Sequence, residues 1–272
     1  LCTAFGTAGT GGFGIKNDSL ASYSPYLQTV TSIFLFLFGV NFNCYFLIFA
    51  GKIKNLLKDE ELRTYLLIIF LSITLITINT LKCFASVGDA IHHATFQVAS
   101  IMTTAGFSTV DFDMWPAFSK TILVVLMGIG ACAGSTGGGM KIARVVLLFK
   151  GVRRNIKQAL YPQKVQVIRM NGKVVDERTI STTNAFLAAY VIIVIFSILI
   201  ISLDNFSLTA NLSAVMACFN NIGPGLDAVG PMCNYSGYSI LSKLVLITDM
   251  LAGRLEIFPI LVLFLKGTWK RQ

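Results

Sequence analysis

Three short stretches of the chain end alike: Thr10-Gly11-Gly12-Phe13, Thr104-Ala105-Gly106-Phe107 and Asn221-Ile222-Gly223-Pro224. Each places a hydroxyl or amide residue two positions before a glycine. Each follows an apolar-to-polar segment too short to cross a bilayer, and each precedes a long apolar run. Copies of one re-entrant loop are a means of surrounding an axis with backbone carbonyls. Such carbonyls can replace the hydration shell of an alkali cation. The candidate ion-binding positions are therefore Thr10, Gly11, Gly12, Thr104, Ala105, Gly106, Asn221, Ile222 and Gly223.

The surrounding composition is that of a membrane protein. Apolar residues make up 54% of the chain and charged residues 13%, about half the charged share of a soluble domain. The apolar residues fall in blocks: Ile33–Ala50, Tyr65–Leu81, Ile122–Ala133, Ala185–Leu203 and Ile240–Leu265. A helix across the hydrocarbon core needs roughly 20 residues. The first, second and fourth blocks fit that length, the fifth exceeds it but carries charges, and the third is short unless it continues through its glycines to Phe149. The expectation is an all-α, polytopic membrane protein with about five spans, lying in the bilayer.

Seventeen of the 22 Lys and Arg lie in three segments: 52–63, 141–178 and 266–271. Basic loops stay cytoplasmic, which puts the three glycine loops on the outer side of the membrane. Charge confined to membrane-flanking loops argues against nucleic acid as a partner. The six cysteines form no C-x-x-C pair and read as small hydrophobes. The chain opens at Leu1 inside what reads as a pore segment, and the expectation is that it is truncated at that end.

The organisation repeats as span, half-helix, loop, span. Residues 64–149 form one copy with an interrupted second span, and 183–272 form the last. Residues 1–50 supply the loop and second span of another; 51–63 is a cytoplasmic linker and 150–182 a cytoplasmic insert. Such internal repeats mark channels and transporters, with the site at the repeat interface. Asp89 and Ser207 read as N-caps of the half-helices. The C-terminal ends of those half-helices would aim partial negative charge at the pore centre. Glycine in each loop permits positive φ.

The third apolar block is interrupted by Gly134-Ser135-Thr136-Gly137-Gly138-Gly139. A phosphate-binding loop would need G-x-x-x-x-G-K-[ST] after a strand; here Met140 separates Gly139 from Lys141, and Ile142 replaces the hydroxyl residue. Non-helical backbone at membrane depth is tolerated where it lines a watery cavity, so this segment reads as a gate just inside the filter, or as a tightly packed kink. The final span carries Lys243, Asp249, Arg254 and Glu256. Asp249 and Glu256 share a helical face, whereas Arg254 points elsewhere and needs a partner or water. Lys243 can snorkel, and Pro259 reads as a kink. His92 and His93 have no third ligand spaced for a metal. Asn171-Gly172 between β-favouring runs predicts a hairpin.

The run from Thr103 to Lys141, TTAGFSTVDFDMWPAF followed by GACAGSTGGGMK, resembles the TrkH family of bacterial potassium-uptake proteins. TGGF near Thr10, NNIGPGL at Asn220–Leu226 and GRLEIF at Gly253–Phe258 carry the same resemblance. It implies a potassium-translocating membrane subunit that is not an enzyme. It also implies four pore repeats, a homodimer and a cytosolic, nucleotide-binding TrkA-like regulator. No cofactor is expected on this chain; K+ is the transported ion, held at the filter only. The filter glycines carry over to Gly12, Gly106 and Gly223, the gating loop to residues 134–139, and the pore-facing arginine to Arg254. The first repeat has no counterpart here. A secondary transporter coupling K+ to H+ or Na+ is the alternative, with Asp249 or Glu256 as the ionisable group. A membrane enzyme is weaker, since no catalytic constellation is legible at membrane depth.

Overall fold

The protein is built around two buried half-helices. The computed structural model describes residues 1–255 and 257–263; Glu256, Lys266, Lys270 and Arg271 lie outside the described residues. Twelve helices are described: α1 (Cys2–Ala8), α2 (Pro25–Phe38), α3 (Phe42–Phe49), α4 (Ile53–Leu57), α5 (Glu60–Thr80), α6 (Val87–Met102), α7 (Ala117–Ile129), α8 (Ile142–Leu160), α9 (Glu177–Ile201), α10 (Leu208–Phe219), α11 (Ile240–Arg254) and α12 (Ile257–Leu263). The architecture is all-α apart from a two-stranded hairpin, β1 (Arg169–Met170) and β2 (Lys173–Val174).

The half-helices are the most buried elements. Along α6 every residue from Phe96 to Met102 is buried, and along α10 Ala214, Val215 and the run from Ala217 to Phe219 are. α6 packs on α2, α5 and α7; α10 packs on α7, α9 and α11. Val98 and Met102 join Tyr65, Ile76, Leu123 and Met127 in one cluster, and Val215 and Phe219 join Tyr190, Val194 and Leu246 in another. The long helices α5 and α9 turn Leu67, Phe70, Ile192 and Phe196 outward. Such a pattern suits helices whose outer face meets lipid, where packing rather than the hydrophobic effect joins helix to helix.

Only α5 with its following turn (Glu60–Cys83) and α9 with its own (Glu177–Asp204) are, among the described residues, single helices long and apolar enough to cross a membrane. The block Ile33–Ala50 does not form the straight span expected: α2 and α3 meet at 87°. The break has a local cause. Gly39 ends α2, and Asn41 starts α3, its Oδ1 accepting from Asn43 N at 2.9 Å. The last span is divided too, since α11 ends at Arg254 and α12 begins at Ile257. Pro259 falls in the first turn of α12, where its missing N–H costs no helical bond.

The cap of α10 is Ser207, whose Oγ accepts from Ala210 N at 3.1 Å. That of α6 is Ser86 rather than Asp89; Ser86 Oγ accepts from Asp89 N at 3.2 Å, so Asp89 sits inside the first turn. There its charge still favours the helix N-terminus. The hairpin forms at Asn171-Gly172, with both residues at positive φ and Arg169 opposite Val174. Its turn clasps the start of α5: Asn171 Oδ1 accepts from Glu60 N at 2.8 Å, and Asn171 Nδ2 donates to Asp59 at 2.9 Å. Lys150 of α8 bonds Glu60 and the Arg169 carbonyl.

The bend at Gly39 is tight. A Cβ there would collide with the Tyr65 hydroxyl and come within 2.8 Å of Thr103 Cγ2. Tyr65 is fully buried and donates to Phe36 O at 3.0 Å. Gly39→Ala therefore lowers stability by about 1–3 kcal/mol. Part of that loss returns in Gly39→Ala/Tyr65→Phe, read by thermal unfolding in detergent.

Candidate functional site

Three turns of the same construction follow three helices. In each, the helix ends in a cap residue (Gly9, Thr103, Asn220), and the next residue is left-handed: Thr10 at φ 49°, Thr104 at 59°, Asn221 at 58°. The hydrogen bonds repeat as well. Thr10 N, Thr104 N and Asn221 N donate to Thr7 O, Ile101 O and Cys218 O. The following N–H groups, of Gly11, Ala105 and Ile222, donate to Gly6 O, Ser100 O and Ala217 O at 2.8, 2.9 and 2.8 Å. This is the paired 6→1 and 5→2 closure that ends helices in a left-handed residue. Glycine usually fills that position and asparagine sometimes does; a β-branched threonine there is strained. The third residue of each turn, Gly12, Gly106 or Gly223, is again at positive φ, 65°, 82° and 104°.

The turns stand side by side. A Cβ on Gly12 would overlap Ala105 O, and a Cβ on Gly106 would overlap Ile222 O. Each of these two glycines thus lets the middle carbonyl of the next turn come into backbone contact. At Gly223 no described atom lies within 4 Å of the equivalent position.

Against the inner ends of these turns lies the glycine-rich loop between α7 and α8. It is pinched at its base: Ile142 N donates to Ala131 O at 3.0 Å, and a Cβ on Gly130 would meet Gly138 O at 2.7 Å. The run of glycines has a direct reason. A Cβ on Gly137 would reach 2.9 Å from Thr103 O, and one on Gly138 2.6 Å from Asn220 O. The loop therefore lies backbone on backbone across the C-terminal ends of both half-helices. Its polar groups are paired with the strained turn residues. Gly138 N donates to Thr104 Oγ1 at 2.6 Å, and Thr10 Oγ1 donates to Thr136 O at 3.0 Å. Arg254 Nη1 donates to the same Thr136 O at 2.9 Å, and Lys141 Nζ bonds Gly137 O. Arg254 is placed by its neighbour Gly253, where a Cβ would overlap Phe219 O.

Two further residues hold the loop, and both went unnoticed in the sequence. Glu61 is buried in the first turn of α5; its carboxylate accepts from Ala133 N and from Asn41 Nδ2. Asn41 sits at the α2–α3 bend, where Gly39 O accepts from Cys132 N at 3.1 Å and Phe42 N donates to Gly134 O at 3.2 Å. The available signal was Gly39-Val-Asn41 inside an apolar run, a helix stop followed by a cap residue. Nothing distinguished Glu61 from Glu60.

On the other side of the loop is a cavity of about 350 Å³, bordered by residues 134–139, Lys141, Arg144, Tyr190, Asn220 and Arg254. The remaining candidates lie apart from it. His92 pairs with Gln28 Oε1 at 2.7 Å and His93 with Thr109 Oγ1 at 3.0 Å. Lys243 bonds Ser236 O at 2.9 Å. Asp249 is buried between α11 and α9, with Oδ1 accepting from Ser197 Oγ at 2.9 Å.

Long apolar helices, buried half-helices ending in turns set side by side, and a non-helical loop across their ends define a polytopic, all-α membrane protein. Comparison with known proteins makes the class specific. The sequence model of TrkH, described as a cation transport protein, matches residues 1–270, and the chain belongs to that family. It is 37% identical over 98% of its length to the Trk system potassium uptake protein TrkH of Escherichia coli K12, and covers 56% of that protein. It is 29% identical over 99% of its length to the Trk system potassium uptake protein TrkG of the same organism, again covering 56%. The crystal structure of the potassium transporter TrkH from Vibrio parahaemolyticus superposes with a TM-score of 0.88 at 34% identity, over 98% of this chain and 58% of that one. The chain thus spans little more than half the length of these relatives.

Glu61→Ala strips the acceptor from Ala133 N and Asn41. The expected cost is about 1–3 kcal/mol, with faster amide exchange across residues 131–141 by hydrogen-exchange mass spectrometry. Glu61→Gln keeps an acceptor oxygen and should leave that exchange slow.

Proposed function

We propose that this chain supplies three of the filter loops of a potassium-conducting pore. The observation that carries the reading is the threefold recurrence of one strained turn, in which Gly12 and Gly106 bring successive backbones into contact. Carbonyls so fixed can stand in for the water around a dehydrated K+. The half-helix ends at Thr103 and Asn220 add the negative ends of their dipoles behind the ion. The ring is closed by a further loop against Gly223.

In this reading residues 134–139 obstruct the path at the inner end of the filter, and the strained turns hold them there through Thr104 and Thr10. Arg254 acts twice: its guanidinium bonds Thr136 O, and its fixed charge, which no deprotonation can remove, repels K+ where the dielectric is low. Opening requires Thr136 O to leave Thr10 Oγ1 and Arg254 together. The relatives' names refer to a Trk system, which supports a multi-component assembly. The basic loops then face the cytoplasm, where a TrkA-like nucleotide-binding ring acts on a homodimer and relieves the obstruction.

A coupled transporter is the second reading, and it rests on Asp249, whose Oδ2 is buried without a hydrogen-bond partner among the described residues. Uptake that follows an imposed proton gradient would select it over a channel.

Both tests use the complete protein in proteoliposomes. Gly106→Ser forces a Cβ into Ile222 O and should weaken discrimination of K+ from Na+ at unchanged protein abundance; unaltered relative fluxes would exclude a filter at this position. Arg254→Ala removes a charge-assisted hydrogen bond, about 1.5–3 kcal/mol, so the closed–open balance should move roughly ten- to a hundredfold. The expected readout is higher K+ uptake without the cytosolic partner, and unaltered uptake would make Arg254 a structural residue only.

A further inference from the structure

The three turns are alike in backbone but not in what holds them from behind. In the second turn, Ser100 Oγ donates to Phe107 O at 2.6 Å, tying the turn to its own half-helix. The position equivalent to Ser100 on α10 is Ala217, which has no hydroxyl. The third turn is held from outside instead. The segment between Pro224 and α11 folds back, and a short 3-10 turn begins at Tyr235. Tyr235 donates its phenolic hydrogen to Gly223 O at 2.7 Å. Its hydroxyl also meets the thiol of Cys218, one turn back on α10. Among the described residues neither Gly12 O nor Gly106 O accepts a hydrogen bond. The carbonyl of the third glycine is therefore the one fixed by a side chain.

We propose that Tyr235 is a positioning residue for ion selectivity, acting on the filter through Gly223 without touching the ion. The inference rests on the pore reading above. A carbonyl oxygen has two lone pairs. With one directed to Tyr235, the Gly223 oxygen is restrained in direction and donates less density toward the axis. A site that discriminates K+ from Na+ by carbonyl number, field and spacing is sensitive to both changes. The tyrosine is itself well anchored. Its ring lies 6.1 Å from that of Tyr238, whose hydroxyl donates to Asn211 Oδ1 at 3.1 Å, and Lys243 bonds Ser236 O beside it. The glycine carbonyl is thus tied to the N-terminal half of α10 and to the start of α11.

The test compares Tyr235→Phe and Tyr238→Phe in the complete protein, reconstituted in vesicles, with K+ and Na+ uptake measured in the same preparation. Both changes remove one hydroxyl from the same outer segment, but only Tyr235 reaches a filter carbonyl. Tyr235→Phe should lower the K+ to Na+ uptake ratio about fivefold, the equivalent of one hydrogen bond, with total cation flux retained. Tyr238→Phe should leave the ratio unchanged. Incorporating 4-aminophenylalanine at position 235 restores an N–H donor and should recover most of the ratio. It also supplies the decisive protein if Tyr235→Phe fails to accumulate, since its ratio should then stay near wild type while its fold is intact. A wild-type ratio in folded Tyr235→Phe, or an equal fall in both Phe variants, overturns the proposal. Gly106→Ser separates the two levels: if it too leaves selectivity intact, the pore reading fails; if it changes selectivity and Tyr235→Phe does not, the tether alone fails.

Discussion

Non-helical backbone at membrane depth must find its partners inside the protein, because the bilayer core offers none. In this molecule the partners are other pieces of non-helical backbone. The three turns after α1, α6 and α10 satisfy their own half-helices through the closing 6→1 and 5→2 bonds. The glycine-rich loop then takes up the groups the turns leave over: Thr104 Oγ1 receives Gly138 N, and Thr136 O receives Thr10. Removing side chains at residues 137–139 is what allows this contact, since a Cβ at Gly137 or Gly138 would meet Thr103 O or Asn220 O. Glycine here is a packing requirement as much as a conformational one.

The same constraint explains why the helices around the centre are broken. A continuous helix from α7 into α8 would leave the half-helix carbonyls without cover; the loop between them supplies it. The bend between α2 and α3 serves the loop in turn, because Gly39 O and Phe42 N, freed from helical bonding, pair with Cys132 N and Gly134 O. The buried carboxylate of Glu61 completes the junction. Its first-turn position on α5 offsets part of the cost of burying it, through the helix dipole and two hydrogen bonds.

A continuous set of contacts runs from this junction to the cytoplasmic side of the proposed topology. The hairpin turn at Asn171 holds Asp59 and Glu60, and the next residue, Glu61, holds the loop. The hairpin turn and the stem of the glycine-rich loop are thus bonded to the same first turn of α5. From the opposite side the loop is held by Arg254, set by the close approach of Gly253 to Phe219 O. The loop is thus clamped between α5 and α11.

Much of this was legible in the residues. The half-helices were marked by their length and by Ser207, the hairpin by Asn171-Gly172, and the three turns by a polar residue two places before glycine. These are local signals, since propensity, capping and positive φ act within a few residues. Hydropathy misread Ile33–Ala50 as one span because it reports the preferred solvent of a side chain and is blind to whether the backbone bends. The cap of α6 was misplaced by three residues because Ser86 and Asp89 are both good caps and only the fold of the preceding segment chooses. The sequence alone determined that the chain is helical, rich in apolar helices and marked by three like turns. Only the tertiary structure decided that Thr10 and Arg254 meet at one carbonyl, Thr136 O, across 126 and 118 residues. It alone showed that Glu61 rather than Glu60 faces the loop. Those pairings depend on how segments far apart in the chain are brought together, and no window of sequence contains that geometry.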